Sequence, residues 1–123
     1  MATVYLSGGM CSEWRTRVID ALPMHRFISP TLRNDVEIEL PSLYTQWDLA
    51  AIRASDIVFA YMEASNPSGF GIAVEVGYAA ALGKLIIFVD EVNNEHFAIV
   101  RNASSVSFDS LSDGITYLAS VTW

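Results

Sequence analysis

Glu75 is the residue whose surroundings say most about chemistry. It is the one charged side chain between Glu63 and Lys84, set in Gly69-Phe-Gly-Ile-Ala-Val-Glu-Val-Gly-Tyr-Ala79. On a helix, its neighbours three and four positions away are Gly71, Ile72, Tyr78 and Ala79, small or apolar apart from one hydroxyl. A carboxylate in such company is costly to bury unless something offsets its charge. Held in a cleft, it would serve as an acid, a base or a nucleophile. The bland alternative is a solvent-facing glutamate on an amphipathic helix. The flanking glycines favour the functional reading. Gly77, in mid-helix, costs up to about 1 kcal/mol relative to Ala and so predicts close packing or the close approach of a ligand.

Asp48 is a second carboxylate of interest, eight residues before the start of an apolar run at Asp56. Ser7-Gly8-Gly9-Met10 follows the first β-rich run, where backbone N–H groups could meet a phosphate or a sugar; a plain tight turn explains the glycines equally well. Asn66-Pro-Ser68-Gly69, leading to Gly71, has the same two readings. Tyr5, inside the first run, reads as a core tyrosine. Cys11 has no histidine placed to activate it, and His25 and His96 are isolated from it and from each other, so no metal-ligand cluster is expected.

These residues need a scaffold, and the hydrophobic pattern supplies one. Thr3–Ser7, Arg26–Ser29, Asp56–Met62, Leu85–Val89 and Ser105–Phe108 read as strands. Glu13–Leu22, with apolar Trp14, Val18, Ala21 and Leu22 at spacings of three and four, reads as an amphipathic helix. Leu43–Ala54, Gly71–Leu82, Glu95–Asn102 and Ser110–Ala119 also have helical character, whereas the stretch from Pro30 to Pro41 reads as a loop. Such alternation predicts an α/β fold with a mainly parallel sheet covered on both faces. Right-handed crossovers then place every strand-to-helix loop at the carboxyl edge of the sheet, where ligands bind. Asp48, on a helix whose N-terminus faces that edge, is a site candidate, and Asp56, before its strand, is a turn residue at the far edge. Glu75, near the positive end of its helix, should be favoured in its ionised form.

The 123 residues make one domain, residues 1–123, with 52% hydrophobic and 17% charged side chains and a formal charge of −7. That composition excludes disorder, and the acidic balance excludes a partner as negatively charged as a nucleic-acid polymer. A small nucleoside or nucleotide remains compatible. So few charged groups predict an apolar surface covered by a second copy of the chain, hence a homodimer or a higher homo-oligomer. The single cysteine fits a reducing compartment. With no basic n-region before an apolar stretch and no apolar run near membrane length, a cytoplasmic location away from membranes is expected.

Several pieces together resemble the nucleoside 2-deoxyribosyltransferase family, including its related branch of 2′-deoxynucleoside 5′-phosphate N-hydrolases. They are Tyr5-Leu-Ser-Gly-Gly-Met10, Asp48-Leu-Ala-Ala-Ile with Ser55-Asp56, Gly69 to Ala79, and Gly83-Lys84 before an apolar strand. The resemblance covers roughly residues 3 to 90. It implies a flavodoxin-like, Rossmann-like three-layer sandwich with a five-stranded, mainly parallel sheet. It also implies a two-step retaining reaction at C1′ of a 2′-deoxyribosyl group, without metal or cofactor, on a small deoxynucleoside or deoxynucleotide and a nucleobase. Glu75 matches the family nucleophile, Tyr5 the hydroxyl that holds it, and Asp48 the acid at the departing base. Ser7, Gly8, Gly9, Met10, Ser68, Gly69 and Gly71 are the expected substrate contacts. Family members complete each site from a neighbouring subunit's C-terminal part, for which Asn102 is the candidate. Transferases of the family carry a second Asp before the glycines; here Pro67-Ser68-Gly69 has none. Pro-Ser at that place is similar to the hydrolase branch, where the serine contacts phosphate, whereas the first loop lacks that branch's extra Arg and Gly residues.

Overall fold

The structure is a computed structural model describing residues 1–32 and 40–123. Among the described residues, five strands, β1 (Thr3–Gly8), β2 (Arg26–Ile28), β3 (Ile57–Met62), β4 (Leu85–Asp90) and β5 (Val106–Phe108), alternate with five helices. The helices are α1 (Trp14–Ala21), α2 (Pro41–Arg53), α3 (Phe70–Ala81), α4 (Ala98–Ala103) and α5 (Leu111–Ser120). All four pairings are parallel, in the order β2-β1-β3-β4-β5, so the expected mainly parallel sheet is wholly parallel among the described residues. The chain runs outward from β1 to β2 and then crosses to β3 on the other side, which opens a crevice beyond the carboxyl ends of β1 and β3.

Strand alternation sorts the core into two layers. Val4, Leu6, Ile57, Phe59, Tyr61, Ile87 and Val89 pack with Trp14, Val18 and Leu22 of the α1 segment and with Leu111 and Leu118 of α5. Tyr5, Val58, Ala60, Met62, Ile86 and Phe88 pack with Ala51 and Ile52 of α2, Ile72, Val76 and Ala79 of α3, and Val100 of α4. Tyr5 and Ser7, two residues apart, therefore face α2 and α3 together, opposite Val58 and Ala60 in the register.

Several boundaries differ from the sequence expectation. The buried face of α1 carries Arg15, while Ala21 is exposed. Most of the expected loop over residues 30–41 lies outside the described residues; before it, Pro30–Leu32 forms a single 3-10 turn, and after it α2 already starts at Pro41. Proline suits that first helical position, since its missing N–H would have no intrahelical partner there. The expected Glu95–Asn102 helix is a 3-10 turn, Glu95–Phe97, capped by Asn94 and followed by α4. Ser110 caps α5 by accepting from the Asp113 N–H. No helix among the described residues is long and apolar enough to cross a membrane.

Candidate active site

A cavity of about 430 Å³ lies at the crevice between β1 and β3. Its wall is drawn from four segments: Gly8, Gly9 and Met10 after β1; Tyr44 and Asp48 on one face of α2; Asn66, Ser68 and Gly69 after β3; and Gly71, Ile72 and Glu75 on α3, with Pro30 at the margin. Two glycines shape the wall. Gly69 caps α3 in the left-handed region, at φ +75°, where a side chain is unfavourable. A Cβ at Gly8 would lie 2.7 Å from the Tyr61 carbonyl oxygen and 2.8 Å from the Trp14 ring.

Glu75 is half-buried at the floor, and both carboxylate oxygens accept hydrogen bonds. The Tyr5 hydroxyl donates to Oε2 at 2.8 Å, and the Ser7 hydroxyl donates to Oε1 at 2.6 Å. Burial pushes the Glu75 carboxyl up to about 7; the Ser7 and Tyr5 hydroxyls pull the other way, and Asp48, by its charge and a hydrogen bond, adds to the rise. A second carboxyl within hydrogen-bonding reach disfavours ionisation of both groups at once. Burial, and then the charge of Glu75, hold the Tyr5 phenol far above its ordinary range. It is accordingly a permanent donor.

Glu75 was expected near the positive end of its helix. It is the sixth residue of α3, past the first turn in which that field is felt. The two hydroxyls, rather than the helix end, offset its charge. Gly77, expected to mark a close approach, is exposed, and a methyl group there would touch no atom of the described residues outside the local helix.

Arg15 supports the floor from behind. It is 5% exposed and donates to the carbonyl oxygens of Gly9 at 2.6 Å, Gly8 at 2.9 Å and Leu6 at 3.3 Å. Its guanidinium lies 4.6 Å from the Trp14 ring centroid, a cation–π contact. Burial lowers its pKa, but an arginine remains charged. The carbonyls of the turn after β1 thus point to Arg15.

The structure brings Glu75, Asp48 and Tyr5 together, and places Gly8, Gly9, Met10, Ser68, Gly69 and Gly71 on the cavity wall. Ser7 was expected against the substrate, but it is completely buried beneath the wall and spends its hydroxyl on Glu75. Asp56 is at the opposite edge, accepting from the Thr3 N–H. Cys11 and Asn102 are exposed, and the Asn102 amide donates to Ala98 in its own helix. Sequence reasoning missed Tyr44, Ile72 and Arg15, whereas Asn66 lies in the Asn66–Gly69 loop that it had offered as a site or a plain turn. Tyr44 was within reach, because it precedes Asp48 by four residues and so shares its helix face. Among the described residues, no three His, Cys, Asp or Glu side chains are gathered where a metal ion could sit.

The 2-1-3-4-5 parallel sheet defines a flavodoxin-like α/β protein, and the crevice where its strand order reverses holds Glu75, braced by two hydroxyls, together with Asp48. The sequence matches the profile of the nucleoside 2-deoxyribosyltransferase family over residues 5–114. The chain belongs to that family. Among solved structures it is similar to a 2-deoxyribosyltransferase from the psychrotolerant bacterium Bacillus psychrosaccharolyticus, with a TM-score of 0.75 and 23% identity over 94% of this chain and 92% of that one. It is also similar to a CMP N-glycosidase, BcmB, of Clostridium botulinum, with a TM-score of 0.63 and 22% identity over 95% of this chain and 98% of the other. Comparison with curated protein sequences gives no match. Membership of the family supports an enzyme of the nucleoside 2-deoxyribosyltransferase kind, and the two solved structures share its fold.

Proposed function

We propose that the protein is a nucleoside 2-deoxyribosyltransferase that works through a covalent deoxyribosyl-Glu75 ester. A Glu75 oxygen attacks C1′ as the C1′–N bond breaks; the electron pair goes to the base nitrogen, which takes a proton from Asp48. In the second step the ring nitrogen of an incoming base attacks C1′, the C1′–Oε bond breaks, and the proton of that nitrogen returns to Asp48. Atoms and charge balance over the cycle without an added cofactor. The observation that carries this reading is the pair of donors on Glu75 inside a cavity shared with Asp48. They support a charge on a carboxylate that burial alone would neutralise.

A second reading replaces the acceptor base by water and the nucleoside by a 2′-deoxynucleoside 5′-monophosphate. It is favoured by Ser68, which stands on the cavity wall where residues 67–69 carry no carboxylate. The protein should be incubated with a deoxynucleoside and a different free base, and separately with each deoxynucleotide, and the products separated by chromatography. A swapped base establishes transfer, a free base without a swap establishes hydrolysis, and no change with any substrate rejects both. Glu75→Ala should abolish turnover in a folded protein; near-normal activity in that variant would refute the site.

A further inference from the structure

We propose that Ser7 is a positioning residue for Glu75, a second brace that locks the carboxylate in one orientation and steers the proton of the Glu75–Asp48 pair onto Asp48. The inference rests on the proposed displacement at C1′, in which Glu75 must be ionised while Asp48 carries the acid proton. Ser7 is completely buried and does not line the cavity, so it acts through Glu75 and not on substrate. Its one O–H is spent on Oε1 at 2.6 Å, the shorter of the two contacts to that carboxylate. A hydroxyl–carboxylate hydrogen bond of this length is charge-assisted and favours the ionised form. Buried serines on strands and helices often turn the hydroxyl back to a backbone carbonyl, as Ser55 does to Ala51. Ser7 does not.

The geometry follows from the strand. Tyr5 and Ser7 project from the same face of β1, one residue pair apart, and meet α3 at Glu75, with the small Ala60 beside Ser7 in the register. With one donor on each oxygen, rotation about the Cγ–Cδ bond would break both contacts. Two donors also serve the second step: whichever oxygen bonds to C1′, a hydroxyl stands beside it to receive the returning negative charge. Among the described residues, the polar and titratable groups that share a cavity wall with the carboxylate are Asp48, Tyr44 and Thr45 from α2 and Asn66 and Ser68 after β3, with the Tyr5 phenol below and Arg15 behind β1. Tyr78, one turn along α3, is engaged by Arg53. Ser7 is the largest influence lowering the proton affinity of Glu75.

The test is a titration of the Glu75 side-chain carboxyl by ¹³C NMR in protein labelled at glutamate Cδ, with Glu75→Gln to assign the resonance, alongside kcat and KM across pH. In Ser7→Ala the midpoint should rise by roughly one pH unit, a tenfold gain in proton affinity. Below the midpoint kcat should fall by about the same factor, with KM unchanged. Ser7→Thr keeps the hydroxyl and should titrate like the parent. An unmoved midpoint in folded Ser7→Ala overturns the proposal, as does a fall in kcat with the acid limb in place. So does a Thr variant that follows the Ala variant. The expected NMR shift in a protein that turns over no deoxynucleoside would keep Ser7 as the brace and reject the proposed reaction instead.

Discussion

Replacing Glu75 by Gln should make the protein more stable, and increasingly so as the pH rises. A carboxyl whose folded-state pKa lies above its unfolded value binds its proton more tightly in the folded chain. The stability this confers is complete below the unfolded value and is lost as pH rises through the folded one. For Glu75 the window runs from the ordinary 4.5 to about 7. The cost to the folded state at pH 9 is then about 3 kcal/mol, against about 1 kcal/mol at pH 5. Gln has the same shape, its carbonyl can accept from Tyr5, and its amide can donate to Ser7, so packing changes little. The melting temperature of Glu75→Gln relative to the parent should therefore climb by several degrees between pH 5 and pH 9, roughly 3–5 °C per kcal/mol for a chain of this size. Scanning calorimetry of both proteins at the two pH values, with turnover measured on the same samples, is the assay. Any pH-independent packing effect cancels in the comparison. A stability difference that is the same at pH 5 and pH 9, or one that shrinks with pH, would show that Glu75 carries no buried charge and that the argument for a held carboxylate is wrong.

Tyr5→Phe keeps the ring and removes the donor to Oε2, so turnover at neutral pH should fall about tenfold or more and recover in part at alkaline pH, read from the pH–rate profile. Arg15→Met keeps a side chain against Trp14 but strips the donors from three carbonyls; a loss of a few kcal/mol is expected, seen as a lower denaturant midpoint. Ser68→Ala should weaken use of a 5′-monophosphate by about tenfold while leaving a free deoxynucleoside near the parent rate, and equal losses on both would assign Ser68 to the turn alone. Phe70 and Ile99, 79% and 78% exposed, line a neighbouring groove that meets the cavity at Ser68 and Gly69. The working protein is expected to be an oligomer, and light scattering that finds an active 13.5 kDa monomer would refute this.

The sheet was legible because its strands are short β-rich runs set between helical segments, and its long central pair, β3 and β4, is apolar on both faces. Glu75 could be singled out as a charge in apolar company, and Asp48 by its place on a helix whose N-terminus faces the carboxyl edge of the sheet. The brace at Ser7 was not seen, although the information was there: Tyr5 and Ser7 are two apart on a strand and must share a face. Ser7 was read both as the last residue of the strand and, with the glycines after it, as a substrate contact, when the strand continues through Gly8. Arg15 was hidden for the opposite reason. An arginine next to an apolar helical stripe is normally at its solvent border, and only the turn's carbonyls, brought back over α1 by the fold, give it a buried role. The start of α3 was read to within one residue, Gly71 against Phe70, but at its fifth or sixth position Glu75 is already past the turn in which the helix end is felt.

The groups that touch Glu75 come from the sheet and from helix interiors, whereas much of the remaining cavity wall comes from the turns after β1 and β3. Chemistry and selectivity are thus carried by parts of the chain that can change independently. Replacement of Met10, Asn66 or Ser68 leaves the strand register intact, so a library confined to those positions samples new substrates on an unaltered reacting group. A one-residue slip of β1, by contrast, would present Leu6 and Gly8 to Glu75 in place of Tyr5 and Ser7. Descendants of this chain are free to diverge at the rim of the cavity while the length of the first strand stays fixed.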